Sequence, residues 1–466
     1  MKKKIFILLS VTVFVVLFAA VAAFAAEAAE QEIDTTKAYI TLGVLLAAAV
    51  LFFTEVVPLP ITAVLVPVAL TMTGVIKAGP AFANWGDTTV ILFMAMFIVG
   101  EAIFKTGFAD KVGETTMRLS GGNQWKLLVF TTIVIGAMSS VLSNTGTVAV
   151  TMPMVIAMCR SSNIAPSKLL IPAAFASSLG GTITLIGTPP NGIVNAMLKA
   201  AAETAPEGMI IRQFGFFEFG KMGVLLLIMG VLYYALIGHR FLIDTSKREK
   251  ATREVEDEEA SAAVASAKAK RRTEKMLYSV AIFIFVVVIM VTEVMPLHVA
   301  AMFGVCLVVV SGCLTMKEAF EAVDWQTIWL FAGMLSMSTA MSQSGAAKLI
   351  AQTIVSQVSS PIAILAVVCL ITALLTNFMS NTATSALMGP LAIPLAISTG
   401  INPMPLAMGI ALSASCCFLT PIATPPNTIV FGPGNYSFVD YVKTGWPLQL
   451  MSFIMCVVLI PIFWPL

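Results

Sequence analysis

The sequence predicts an all-α polytopic membrane protein carrying an internal inverted repeat, with about 11 transmembrane helices, two re-entrant hairpins and two broken helices. Three observations carry this prediction. Hydrophobic residues make up 58% of the 466 and charged residues only 11%, far from the soluble globular range. Long apolar runs recur from end to end without the period-two alternation of barrel strands. A short polar island also occurs twice, as Ser143-Asn144-Thr145-Gly146-Thr147 and Ser380-Asn381-Thr382-Ala383-Thr384. Each island has a proline ten residues after its serine (Pro153 and Pro390), and each is followed by Thr-Pro-Pro-Asn, at 188–191 and 424–427.

The chain opens with Lys2 to Lys4, an apolar run from Ile5 and then Ala23-Phe24-Ala25. This pattern fits a cleavable signal peptide and also a retained first helix over 5–26, with retention favoured. Residues 1–37 are this segment plus an external linker, and both readings put the acids from Glu27 to Asp34 outside. Repeat 1 is expected over 38–240, with scaffold helices in 38–106 (spans 38–57, 59–76 and 88–106). A hairpin at 126–160, a broken helix at 169–200 interrupted from Gly187 to Asn191, and a helix at 216–239 complete it. Residues 241–275 form a charged, cytoplasmic, partly helical linker. Repeat 2 spans 276–466: scaffold helices in 276–343, a hairpin at 361–398, a broken helix at 405–431 and a last helix at 444–464.

The charges test the hairpins. With the N-terminus inside and both polar-tipped segments re-entrant, 21 of the 27 Lys and Arg fall on the inner side, as the positive-inside rule requires. A full crossing at either hairpin would flip everything after it and weaken the bias. The expected placement is therefore a multi-pass protein of the cell (inner) membrane, N-terminus cytoplasmic if the first helix is retained and C-terminus external.

The halves match beyond the islands. Thr54-Glu55-Val56-Val57-Pro58-Leu59 answers Thr292-Glu293-Val294-Met295-Pro296-Leu297, and Gly107 answers Gly345. Five full spans per half, an odd number, turn the second copy upside down. Inverted repeats with hairpins or broken helices in corresponding places point to a secondary transporter with its site at the midplane.

Unwound backbone at membrane depth persists only where it is buried in protein or lines a wet cavity. The half-helix starting after each Ser-Asn-Thr offers free N–H groups and a positive dipole end, which suit an anion. Carbonyls and Ser, Thr and Asn oxygens suit a small hard cation. Each Pro-Pro removes backbone donors, leaving the carbonyls of Gly187 and Ala423 available, while Asn191 and Asn427 are expected to satisfy the freed backbone. No Lys, Arg or His lies in either hairpin between Leu127 and Cys159 or between Pro361 and Ser398. An anion held by dipoles and hydroxyls alone is undercompensated, so bound cations must supply the missing charge. Acids that could relay protons are also missing from the site. Glu101 is expected to pair with Lys105, and Glu55 and Glu293 read as repeated structural anchors.

These motifs resemble those of the divalent anion/sodium symporter family, in its dicarboxylate-transporting branch, over essentially the whole chain. The resemblance implies one sodium held by Ser139, Ser143, Asn144 and the Gly187 carbonyl, and a second held by Thr376, Ser380, Asn381 and the Ala423 carbonyl. It implies substrate binding by Asn144, Thr145, Thr188, Asn381, Thr382 and Thr424. It also implies a homodimer and an elevator motion of hairpins and broken helices against the scaffold. The function so expected is sodium-coupled import of C4-dicarboxylates such as succinate, malate and fumarate. Rivals are sulfate or citrate transport on the same fold, or sodium-independent dicarboxylate exchange. No organic cofactor is expected; Na+ is the coupling ion, and the partners are substrate, lipid and a second copy.

Other classes fare worse. The net charge of +2 gives no nucleic-acid signal, and the seven cysteines show no metal or disulfide spacing. An intramembrane enzyme would need a catalytic constellation within the bilayer, and His239 and His298 near span ends do not provide one. An open channel has no use for two occluding hairpins with cation sites.

Overall fold

The computed structural model describes residues 35–108, 111–112, 115, 123–202, 209, 211–245, 272–350 and 360–466. The apolar run at 5–26 and most of the linker, 246–271, lie outside the described residues.

The helices fall into two sets of nine among the described residues. The first set is α1 (Thr35–Thr54), α2 (Leu59–Met72), α3 (Ala78–Ala83), α4 (Thr88–Lys105), α5 (Gln124–Ser139), α6 (Asn144–Ser161), α7 (Ser167–Gly181), α8 (Pro189–Ala202) and α9 (Gly220–Leu236). The second is α10 (Met276–Thr292), α11 (Leu297–Val310), α12 (Met316–Ala322), α13 (Trp325–Gln343), α14 (Pro361–Thr376), α15 (Asn381–Ser398), α16 (Pro403–Ser415), α17 (Pro425–Phe431) and α18 (Phe438–Phe463).

The repeat reaches into the backbone. Glu55 and Glu293 both adopt left-handed φ (50° and 53°), ending α1 and α10, and Pro58 and Pro296 then open the next helices with φ −53°. Gly74 and Gly312 share φ 71°, and Gly107 and Gly345 have φ 81° and 78°. Glycine suits these last turns because they lie where a side chain is strained. Asp87 caps α4 by accepting from Thr89 N at 2.7 Å, and Asp324 caps α13 by accepting from Thr327 N at 3.2 Å.

Contacts across the halves come in exchanged pairs. Helix α2 packs on α13 and α4 on α11; likewise α6 packs on α17 and α8 on α15. Helices α7 and α16 meet each other, as do α9 and α18. A pseudo-two-fold between the halves requires this pattern. Helices α7 and α16 form the centre: α16 is buried along its whole length, α7 everywhere but Lys168, as expected for helices apolar all round. Small residues let backbones close up. A Cβ on Gly223 of α9 would run into the Thr182 backbone, and one on Gly445 of α18 into the Phe418 backbone.

The outer surface is apolar, with Ile284, Phe285, Val288 and Val291 of α10 and Ile454, Val458 and Ile462 of α18 exposed. Polar side chains lie inside instead, with Ser177, Ser178, Thr182, Thr184 and Asn191 all at 0% exposure. Hydrocarbon solvent favours this inversion. All seven cysteines are free, six buried and Cys306 exposed.

Polar contacts tie the helix ends into two groups. One holds Arg272–Glu318 (2.8 Å), Arg272 N to Lys105 O (3.1 Å), Thr106–Ser279 (2.6 Å), Lys168–Asp244 (2.9 Å) and Tyr436 OH to Ser167 O (2.5 Å). The other holds Lys199–Asp87 (2.8 Å), Arg212–Glu218 (2.7 Å), Trp464 Nε1 to Glu218 (2.9 Å) and Asn402 Nδ2 to Pro465 O (2.9 Å). The two-hairpin topology puts the members of each group on a common face. The pairing of Glu101 with Lys105 does not form: helical spacing brings the two within reach, but no ion pair within 4.0 Å joins them among the described residues.

Candidate substrate and cation site

Each polar island is the turn of a helical hairpin. Helix α5 ends at Ser139, and Ser143 caps α6 by accepting from Gly146 N at 3.1 Å. Helix α14 ends at Thr376, and Ser380 caps α15 by accepting from Ala383 N at 3.1 Å. Ser143 and Ser380 of the expected cation sets thus hold helix starts in place, leaving Asn144-Thr145 and Asn381-Thr382 in the first turns, beside unpaired N–H groups.

In the first cluster the end of the Asn144 carboxamide is surrounded by Ser139 Oγ at 2.6 Å, Ser177 O at 3.0 Å and Gly187 O at 3.2 Å. With Oδ1 in that position, four oxygens share the single proton of the Ser139 hydroxyl. Such a cluster is short of positive charge. Either the amide turns and donates to the two carbonyls, or a small hard cation supplies the charge. The surroundings are built for this contact: a Cβ on Gly181 would overlap the Asn144 carboxamide, and one on Gly187 would overlap the Gly181 backbone.

The second cluster gathers the same kinds of oxygen around Asn381. Thr376 Oγ1 lies 2.6 Å from Ala414 O and 3.0 Å from Asn381 Oδ1, so one hydroxyl proton faces two acceptors. The Cys417 thiol adds a donor, with Sγ 3.1 Å from Asn381 Oδ1. Ser139 and Thr376 thus aim across the hairpin turn, at the asparagine.

The unwound segments between α7 and α8 and between α16 and α17 are held by their asparagines. Asn191 Nδ2 donates to Gly181 O (3.2 Å) and Thr184 O (2.8 Å); Asn427 Nδ2 donates to Cys417 O (3.1 Å) and Thr420 O (3.0 Å). Thr184 Oγ1 donates to Ser140 O and Thr420 Oγ1 to Asn377 O, tying each segment to its own hairpin turn. Four buried side-chain oxygens lack a hydrogen-bond partner in repeat-related pairs: Thr147 and Thr384 Oγ1, Asn191 and Asn427 Oδ1. Buried polar atoms are rarely left so.

Among the expected site residues, Ser139, Asn144 and Gly187 come together, as do Thr376 and Asn381. The carbonyl that meets Thr376 is that of Ala414; Ala423 is buried in the unwound segment next to Thr424. Thr145 is exposed at its tip and Thr382 half-buried, while Thr188 and Thr424 are buried. Sequence reasoning missed Ser177 and Ala414, which act through main-chain oxygen and carry no side-chain signal. It also missed Gly181 and Cys417, which the repeat offset could have found.

A small cavity of about 50 Å³ reaches the first tip, bounded by Phe93, Gly100, Glu101 and Phe104 of α4, Ser143, and Ala322 of α12. It lies on the side of Lys105 and Glu318. The second hairpin packs closely on the scaffold, α15 lying along α13.

A family model described as "Citrate transporter" matches residues 49–396 and 288–465. The chain belongs to the citrate transporter family. Like other members of that family it is an integral membrane transporter and not an enzyme, and the resemblance to divalent anion/sodium symporters is borne out. It is 24% identical to the uncharacterized transporter YfbS of Escherichia coli, over 91% of this chain and 98% of that protein. It is 24% identical to the sodium-dependent dicarboxylate transporter SdcS of Staphylococcus aureus, over 91% and 85%. The crystal structure of the YdaH transporter of Alcanivorax borkumensis, described as having an unusual topology, shares the fold, with a TM-score of 0.58 at 15% identity over 93% and 99% of the two chains.

Proposed function

We propose that this member of the citrate transporter family is a sodium-coupled symporter that imports C4-dicarboxylates such as succinate, malate and fumarate. The observation that carries the reading is the pair of buried, oxygen-rich clusters at Asn144 and Asn381, with no basic side chain in either hairpin. Two cations balance two carboxylates. Ser139, Ser143, Asn144 and Gly187 bind the first sodium and Thr376, Ser380, Asn381 and Ala423 the second, with Ser177 O and Ala414 O adding to these sets. Asn144, Thr145, Asn381 and Thr382 receive the carboxylates at the starts of α6 and α15, and Thr188 and Thr424 complete the cradle. The name of the Staphylococcus aureus relative supports both the ion and the substrate class.

The unequal packing of the two hairpins on the scaffold supports an elevator motion in which the arrangements at α4 and α13 alternate. The dense Lys and Arg content of the Lys105 side supports placing that face in the cytoplasm and the C-terminus outside. The working unit in this reading is a homodimer. Citrate is the second candidate substrate, favoured by the family's description.

Radiolabelled succinate uptake into proteoliposomes, with and without an inward sodium gradient and competed by malate, citrate and sulfate, tests the reading. Accumulation driven by sodium and competed best by malate is expected. Uptake indifferent to sodium removes the symport claim, and stronger competition by citrate or sulfate moves the substrate.

A further inference from the structure

The register set by the two asparagines equates position 181 with position 417. Asn191 Nδ2 reaches back ten and seven residues to the carbonyls of Gly181 and Thr184, and Asn427 Nδ2 reaches back by the same steps to those of Cys417 and Thr420. The halves differ sharply here. The first has no side chain, because a Cβ on Gly181 would strike the Asn144 carboxamide. The second has a buried thiol whose Sγ lies 3.1 Å from Asn381 Oδ1.

The oxygen inventory differs accordingly. The Asn144 carboxamide meets one hydroxyl and two carbonyls. Asn381 Oδ1 meets two proton donors, Thr376 Oγ1 at 3.0 Å and Cys417 Sγ at 3.1 Å. The Thr376 proton has a second acceptor, Ala414 O at 2.6 Å, and can turn to it when a cation arrives. The thiol's other acceptor is poorer, Ser415 O at 3.7 Å. A thiol is moreover a soft ligand, ill suited to a hard alkali cation. A cation at Asn381 Oδ1 therefore competes with an S–H···O bond and gains no ligand from the sulfur, a competition that the Asn144 cluster does not carry.

We infer that Cys417 is a positioning residue that makes the two cation clusters inequivalent: by holding Asn381 Oδ1, it weakens the second cluster's grip on sodium, so that this cluster fills after the first. This rests on the sodium-coupled reading above. Cys417 acts through Asn381 and does not itself touch sodium or substrate.

The test is succinate uptake by the full-length protein in proteoliposomes against sodium concentration, with choline replacing sodium. Wild type is compared with Cys417→Ala and Cys417→Gly, the latter importing the first half's residue. Cys369→Ala, a buried thiol of α14, controls for lost packing. Half-saturating sodium is expected to fall roughly two- to tenfold in both Cys417 variants, the range of one weak hydrogen bond. The KM for succinate in saturating sodium should move less, and the control should not shift its sodium requirement. Unchanged or raised half-saturating sodium in both variants, with a sodium-dependent wild type, overturns the inference. Sodium-independent uptake by wild type overturns the symport reading itself and this inference with it. One measurement needs no variant: the infrared difference spectrum of wild type, sodium minus choline, should show an S–H stretch moving to higher frequency as the thiol loses its acceptor. An unmoved S–H region also overturns the inference.

Discussion

Ser139 Oγ stands 2.6 Å from the Asn144 carboxamide, joining the end of one hairpin arm to the start of the other. In the sodium-coupled reading this pair forms the core of the first cation cluster. Ser139→Ala removes one oxygen and should raise half-saturating sodium about tenfold or more, the scale of a bond to a charged group. Asn144→Ala and Asn381→Ala each remove the central group and should abolish uptake, with the protein still eluting as a folded species on size exclusion. Wild-type uptake in either asparagine variant would place the site elsewhere.

Gly181→Ala tests the cluster from outside. The new methyl would overlap the Asn144 carboxamide, an overpacking that costs about 1–3 kcal/mol. Sodium-driven uptake should be lost, because relief requires moving Asn144. At Gly432, where a Cβ meets nothing within 4 Å, alanine should be tolerated. Equal uptake by the two variants would deny Asn144 its role.

Asn191 and Asn427 should govern stability. Alanine at either site leaves two backbone carbonyls without their side-chain donor, at a cost of about 1–3 kcal/mol for each acceptor stranded without water. Thermal unfolding in detergent should fall for both variants by similar amounts, since the pairs are related by the repeat. A drop confined to one would show that the two unwound segments are held differently.

Acid should loosen the loop before α9. Burial pushes the Glu218 carboxyl up, but hydrogen bonds from Arg212, Trp464 Nε1 and the Gly215 amide outweigh it and hold the group down to about 2, below its ordinary 4.5. A carboxyl lowered in the folded state contributes stability above 4.5 that is lost as pH falls towards 2. Melting curves should therefore decline over that window in wild type and decline less in Glu218→Gln. Parallel acid limbs would mean that the Arg212–Glu218–Trp464 contacts carry no linkage.

Much of this site was legible because it is written twice. A single Ser-Asn-Thr says little, but two copies, each followed by Thr-Pro-Pro-Asn, mark both hairpin turns and both breaks. The asparagines of Thr-Pro-Pro-Asn do hold the freed backbone, as the loss of proline donors suggested. Ser177 and Ala414 were hidden because a main-chain carbonyl leaves no mark on residue type. Gly223 and Gly445 were hidden for another reason: the loop before α9 is longer than its counterpart before α18, so these equivalent glycines fall out of the register that relates the hairpins. Glu101 and Lys105 show the opposite error, in which helical spacing suggested an ion pair that does not close to within 4.0 Å.

The exchanged packing of α6 on α17 and α8 on α15 also bears on how the molecule is made. The first hairpin leaves the ribosome well before the helix that covers it has been synthesised. Until α17 arrives, α6 lacks one wall, and a chain truncated before Pro425 cannot supply it. Co-expressed halves would have to find each other in the bilayer before the first hairpin was covered. In the sodium-coupled reading, ion binding would therefore report completion of the whole polypeptide, and a cation added during biogenesis would stabilise only finished molecules.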